Sequence, residues 1–205
     1  MQNIISYFPE SVLQEVTSLF QGNKNITLSG VGNSFSKAMV IADLLRVDKG
    51  DRSNVLWVVS EDSERNLVKK AMEVWSMFPV FIYKKREQDE ALSFPTMRQF
   101  ERIKTIELIE FISRICLNKT AVFVVDFGSL LQTVPNMRQL LMNKLSVKVG
   151  AEFDQVEFID KFVSMGYEMS DHERLSKGEY KRAGDSLIIY PVNQESVCRI
   201  EIGFD

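Results

Sequence analysis

The residues with the most chemical promise lie between Ser29 and Lys37, in the order Ser-Gly-Val-Gly-Asn-Ser-Phe-Ser-Lys. They follow a short apolar strand expected over Asn25–Leu28 and open a helix expected over Ser36–Val47. A phosphate-binding loop belongs at such a junction. Its glycines turn backbone N–H groups toward the phosphates, its lysine reaches the terminal oxygens, and its hydroxyl holds magnesium. A working loop needs Gly-x-x-x-x-Gly-Lys-Ser/Thr. Counted from Gly30, the second glycine falls on Phe35, the lysine on Ser36 and the hydroxyl on Lys37. Phe35 crowds the backbone approach and Ser36 supplies no charge, although Lys37 stands one residue away as a partial substitute. The expectation is a structural strand-to-helix turn. The residues Gly30, Gly32, Ser34, Ser36 and Lys37 then mark a degenerate nucleotide loop.

Other groups that could do chemistry read as structural. Asp126 ends an apolar strand, where a magnesium-organising aspartate would sit, but it also precedes a short helical stretch, Phe127–Leu131. With the loop broken, helix capping is the favoured role. Glu61 and Asp62 are adjacent and do not face each other across a site, so they read as a helix start. His172 lies in the polar run Ser170-Asp171-His172-Glu173-Arg174, with no nucleophile in a recognisable pattern beside it. The two cysteines, Cys116 and Cys198, are far apart and accompany a single histidine. Zinc needs about four clustered ligands, so neither a metal site nor a disulfide is expected. No catalytic residue, metal or cofactor is expected, and the chain is read as not an enzyme.

The elements that must position these groups fall into two patterns. The first alternates helices and strands. A helix over Phe8–Phe20 starts near Pro9. The strand Val55–Val59 is a continuous apolar run, as in a strand buried on both faces of a parallel sheet. Ser60 or Asp62 is placed to cap the next helix, which runs to about Met77 and packs Met72, Trp75 and Met77 inward along with Trp57 of the strand. Val80–Tyr83 is a further strand, followed by the charged stretch Lys84–Ala91, a solvated loop or helix edge. A long helix over Thr96–Cys116 and a strand over Ala121–Val125 complete the series, which indicates an α/β fold with a parallel sheet and helices on both faces.

The pattern changes near Pro135. Leu145–Val149 alternates like an antiparallel strand, and Phe153–Met165 is helical with Gly166 as its terminator. Strands are expected over Tyr167–Ser170, Glu179–Lys181, Ser186–Tyr190 and Ser196–Ile202, with a turn at Asn193-Gln194-Glu195. The expected division is an α/β domain over 1–135 and a small α+β domain over 136–205.

The chain has 205 residues, 45% hydrophobic and 26% charged, with net charge −3 and pI near 5.4. That length buries a sizeable core. A dedicated nucleic-acid binder carries a basic face and a high pI, so direct nucleic-acid binding is not expected. The start, MQNIISYFPESV, lacks the basic and apolar regions of a signal peptide, and no apolar run is long enough to span a bilayer. A cytoplasmic protein with no membrane partner is expected.

Several stretches resemble transcription-repair coupling factors (Mfd). Lys144–Tyr167, KLSVKVGAEFDQVEFIDKFVSMGY, is similar to a family segment in which an "lkvG-x-x-x-d" strand leads into a helix ending "GY". Ser129–Pro135 resembles "aLLqrlP", Gly178–Pro191 resembles "GEFavRGgilDiFP", and Val197–Ile202 resembles "pvRiEff". In the first half, Leu28–Leu45 resembles "vsGltGsarSlliAsLy", and Ser93-Phe94-Pro95 with Arg102–Ile106 resembles "sFsP … RletL". The resemblance covers essentially the whole chain in order. It implies a UvrB-like module: a degenerate P-loop, RecA-like domain followed by a small UvrA-interaction domain. It also implies recruitment of UvrA in nucleotide excision repair, and intramolecular masking of that surface by other domains of the same protein. The alternative is a UvrB-like nucleotide-binding repair ATPase fragment, and the loop at Gly30–Lys37 discriminates against it.

This sequence departs from the family pattern at three places. The family's arginine in "avRG" falls on Ala183, with Arg182 one residue earlier; its aspartate in "ilDiF" falls on Ile188; the arginine after "GYe" falls on Met169. In a strand, a one-residue offset turns a side chain to the opposite face. The partner-binding candidates are Tyr167, Arg174, Lys177, Tyr180, Lys181 and Arg182. One reading makes the four basic residues a patch for an acidic partner, with Tyr180 as an aromatic anchor. The other makes them solvated faces of an exposed hairpin, neutralised by Asp171, Glu173 and Glu179. The chain ends at Ile202-Gly203-Phe204-Asp205 in apparent strand continuation, as a truncated or unusually short homologue would. An exposed sheet edge there makes a homodimer an open expectation.

Overall fold

The computed structural model describes residues 9–21, 27, 29–47, 54–118, 120–152 and 154–203. Among them the order is α1 (Glu10–Gln21), α2 (Ser34–Val47), β1 (Val55–Val59), α3 (Asp62–Trp75), β2 (Val80–Tyr83), a 3-10 helix (Gln88–Ser93), α4 (Met97–Leu117) and β3 (Val122–Asp126). Then come α5 (Phe127–Leu130), α6 (Met137–Met142), α7 (Gln155–Ser164), β4 (Glu168–Met169), β5 (Glu179–Ala183), β6 (Ser186–Tyr190) and β7 (Cys198–Glu201). The strand expected over Asn25–Leu28 lies, Thr27 apart, outside the described residues. No helix among them is long and apolar enough to cross a membrane.

The chain forms two compact units, Met1–Lys84 with Ile115–Leu131, and Lys85–Arg114 with Gln132–Asp205. These cut the chain differently from a single division at 135. Most of α4 packs with the later residues, because Arg102, Glu110 and Arg114 make their ion pairs there.

In the first unit, β3 is the centre of a three-stranded parallel sheet in the order β1-β3-β2. Ala38, Ala42 and Leu45 of α2 and Val68, Ala71 and Met72 of α3 pack on Val59, Val122 and Val124. The central β3 is apolar from Val122 to Val125, where it is buried on both faces, and ends in half-buried Asp126. β1 is not: Leu56 and Val58 are 50% and 41% exposed, so it is a half-covered strand rather than a fully buried one. Met77 is also a correction. α3 ends at Trp75, and Met77 lies past that end at 87% exposure, while Met72 is core and Trp57 and Trp75 pack against it.

The second unit is a four-stranded sheet, β4-β5-β6-β7, with β4 parallel to β5 and the other pairs antiparallel. α7 lays Phe158, Ile159 and Phe162 on Tyr180, Leu187, Ile189 and Ile200. Asp154 caps α7 by accepting from the N–H groups of Val156 and Glu157. Gly166 ends it at φ 86°, the left-handed terminator expected from the sequence. Leu145–Val149 forms no strand: Leu145 packs on the core, but Val147 and Val149 are exposed, and the preceding Met137–Met142 is a helix that periodicity did not indicate. Gly178 is required twice over. Its φ is 79°, and a Cβ there would lie 3.0 Å from Ile106 Cδ1.

Candidate protein-interaction site

At the loop of the first unit, Asn33 occupies the helix N-cap. Its side-chain oxygen accepts from Ser36 N–H at 2.9 Å, and its carbonyl accepts from Lys37 N–H at 3.0 Å. A first-turn donor that a phosphate would need is therefore already taken. Gly30 holds φ 81° as the turn requires; Gly32, Phe35 and Lys37 are exposed and Ser34 and Ser36 are half-buried.

The strand ends beyond that loop carry a charge cluster not legible in the sequence. Asp126 does cap α5: it accepts from Ser129 N–H at 2.8 Å and from Ser129 Oγ at 2.6 Å. Its second oxygen meets the guanidinium of Arg65, which is 3% exposed. Arg65 also donates to the Tyr83 carbonyl at 3.5 Å and pairs with Asp62, and Asp62 pairs with Lys84 at 3.1 Å. Burial pushes the Asp126 carboxyl up, but the Ser129 hydrogen bonds and the Arg65 charge outweigh it and hold it below its ordinary value. An arginine thus stands against the carboxylate that would organise a divalent cation. The expected caps of α3 are corrected. Glu61 is the N-cap, without a side-chain cap bond; Asp62 is the first helical residue, and Ser60 hydrogen-bonds to Glu64. The only sequence signal for Arg65 was its position three residues after Asp62.

In the second unit the six candidates separate. Tyr180 is 5% exposed and stacks on Phe162 at 6.1 Å, so it belongs to the core and is not available as an aromatic anchor. It alternates inward in β5, which the run of polar neighbours concealed. Tyr167 packs against Phe162 at 4.9 Å, and its hydroxyl accepts from Val192 N–H at 3.2 Å; burial raises its ionisation above the ordinary tyrosine value. Lys177 is held within the unit, donating to Glu110 at 2.7 Å and lying 3.5 Å from Glu195. Arg114 pairs with the same two carboxylates. Burial pushes Glu110 up, but Lys177 and Arg114 reverse this and hold it below the ordinary glutamate value. Lys181 donates to the carbonyls of His172 and Glu173 at 3.2 and 2.8 Å, which ties the 171–174 loop to β5.

Arg174 and Arg182 remain. Both are exposed, and neither makes an ion pair or hydrogen bond among the described residues. The strand register also settles the offset at Arg182. Arg182 pairs with Leu187 and Ala183 with Ser186, so the two lie on opposite faces of β5. Lys181, Ala183, Ile188 and Arg199 share one face, and Tyr180, Arg182 and Leu187 share the other. His172, in its polar run, is exposed. No group of three or more potential metal ligands occurs among the described residues.

Residues 145–205 match the family model of the UvrB interaction domain. The UvrABC system protein B of Clavibacter michiganensis subsp. michiganensis is 31% identical over 86 residues, 42% of this chain and 12% of that protein. That of Leifsonia xyli subsp. xyli is 30% identical over the same length. A transcription-repair-coupling factor of Borreliella burgdorferi is 23% identical over 99 residues, 48% of this chain and 9% of that protein. The chain therefore spans a small fraction of these relatives' own length. The resemblance to a UvrB-like module holds in both halves of its evidence: the interaction-domain match and the similarity to the two named repair proteins.

Proposed function

We propose that this chain, whose residues 145–205 match a UvrB interaction domain, is a non-catalytic DNA-repair module that recruits UvrA through the second unit. The observation that carries the reading is the coincidence of that match with the sheet of the second unit, whose β5 hairpin and preceding loop present Arg174 and Arg182 exposed and without an ion pair among the described residues. Exposed guanidinium groups are poised to donate to a partner's carboxylates in bidentate geometry. The remaining basic candidates act differently. Lys177 and Lys181 shape the surface by holding the 171–177 segment in place.

Three features support the non-catalytic part against a nucleotide-binding reading. The loop lacks its second glycine and its lysine at the required spacing. Asn33 caps the helix that would receive the phosphates. Arg65 neutralises Asp126, where a cation would be organised. In a longer relative, masking of the same surface by other domains would use the same arginines.

Calorimetric titration tests both parts. UvrA should give a binding isotherm that Arg174→Glu with Arg182→Glu weakens at least tenfold, while ATP with magnesium gives no heat. UvrA binding that ignores the double reversal would move the surface elsewhere. A saturable ATP isotherm would overturn the non-catalytic reading.

A further inference from the structure

β7 is the outer strand of the second sheet, paired with β6 on one side and with no strand on the other among the described residues. Ile202 N–H donates to the Asp185 carbonyl at 2.9 Å. In an antiparallel ladder the bonded and non-bonded positions alternate, so residues 198, 200 and 202 turn their backbone groups toward β6. Arg199 and Glu201 turn theirs outward. The side chains divide in the same rhythm. Cys198, Ile200 and Ile202 are half-buried on the α7 side, while Arg199 and Glu201 are exposed on the other. There they form a solvent-exposed pair at 3.3 Å along the strand, and Arg199 donates to Ser186 Oγ. A second copy would exchange that weak exposed pair for cross-strand ones. Neither a proline nor a bulge interrupts the strand.

Edge strands are commonly guarded by charges that discourage pairing. Here the guard is self-complementary. From Arg199 to Glu201 the strand reads basic, apolar, acidic, and the reverse direction reads acidic, apolar, basic. A second β7 laid antiparallel and centred on Ile200 brings Arg199 opposite Glu201 of the second copy, and the reverse pair forms by symmetry. Those two positions carry the outward backbone groups, so each pair exchanges two backbone hydrogen bonds and a cross-strand charge contact. Ile200 meets Ile200 of the second copy on the two-fold axis, at a non-hydrogen-bonded position where side chains approach most closely. The apolar layer beneath α7 then continues across the axis, with Cys198 beside Ile202 of the second copy. The opposite edge offers nothing comparable: β4 has two residues, and its Glu168 is held by Arg98 and Arg102.

We infer that β7 is a homodimerisation edge, occupied by a second copy of this chain in the antiparallel register centred on Ile200. The contact area of one short strand makes this a weak, reversible dimer.

Sedimentation velocity over a range of concentrations tests it on four proteins: the unaltered chain, Arg199→Glu, Glu201→Arg and the double reversal. Each single reversal sets like charges opposite each other twice per dimer and should weaken association by about tenfold. The double reversal restores both pairs and should restore association. Hydrogen exchange on the unaltered chain gives a readout that needs no variant. The Arg199 and Glu201 amides should slow with concentration, while the Ile200 amide, already bonded to β6, stays protected throughout. The inference is overturned by a chain that is monomeric at every concentration or by a dimer that leaves the two outward amides unprotected. Single reversals without effect, or a folded double reversal that fails to restore association, overturn it equally.

Discussion

Both units hold an arginine among acidic groups, yet only the second also presents exposed arginines outside such a cluster. In the first unit Arg65 is buried, with Asp62, Asp126 and the Tyr83 carbonyl on its guanidinium. The ends of β1, β2 and β3 in this unit are thus closed by the protein's own charges. In the second unit half-buried Glu110, Lys177 and Arg114 and exposed Glu195 are likewise paired with one another, but Arg174 and Arg182 stand outside that cluster with no ion pair among the described residues. The difference teaches where recognition can still occur. A charge already paired in a low-dielectric site must break that pairing to bind anything else, whereas a solvated guanidinium only sheds water.

The sharpest way to break this comparison is to remove one arginine from each side. Arg65→Met should destabilise the first unit by about 3 kcal/mol, because it strips the counter-charge from a largely buried Asp126. Arg182→Met should stay within about 0.5 kcal/mol, as surface substitutions do. Urea unfolding of the two variants reads the contrast directly, and equal effects would erase it. Within the second unit, Gly178→Ala should cost about 2 kcal/mol, since it meets both a positive φ and Ile106. Gly166→Ala, also at positive φ but with open space around it, should cost about 1 kcal/mol. The ratio of their denaturation midpoint shifts checks that the Arg102–Ile106 turn of α4 seats on Gly178.

Acid should affect both clusters in the same direction. Asp126 and Glu110 are each held below their ordinary values, 3.8 and 4.5. A carboxylate lowered by folding adds stability above its ordinary pKa, and that stability is lost as pH falls through the folded value. Stability should therefore hold on the neutral side and decline once pH drops through the ordinary values. Asp126→Asn and Glu110→Gln should each flatten the decline in acid-titrated unfolding curves. The smallest effect belongs to Lys181→Ala. It frees the 171–174 loop with little loss of global stability, seen as faster amide exchange over that loop alone.

Much of this arrangement was legible from residue order. The parallel strands, the Gly166 terminator, the capping role of Asp126 and the opposite facing of Arg182 and Ala183 all follow from local periodicity. What escaped depends on pairing between distant residues. Arg65 and Asp126 lie far apart in the chain, and nothing local marks them as partners. Tyr180 looked like an anchor because Lys181 and Arg182 follow it, but strand alternation buries it under Phe162. Leu145–Val149 had the alternation of a strand without a neighbour to pair with. The division of the chain was obscured for the same reason: α4 directs Arg102, Glu110 and Arg114 toward residues 168, 177, 178 and 195.

The most direct test of the contrast between the units is hydrogen exchange of the whole chain with and without UvrA, read segment by segment. Slowed exchange over 171–185, with none over 29–37, is the result predicted for a closed first unit and a recognising second one. Protection appearing at 29–37, or UvrA binding that leaves 171–185 unchanged, would contradict it.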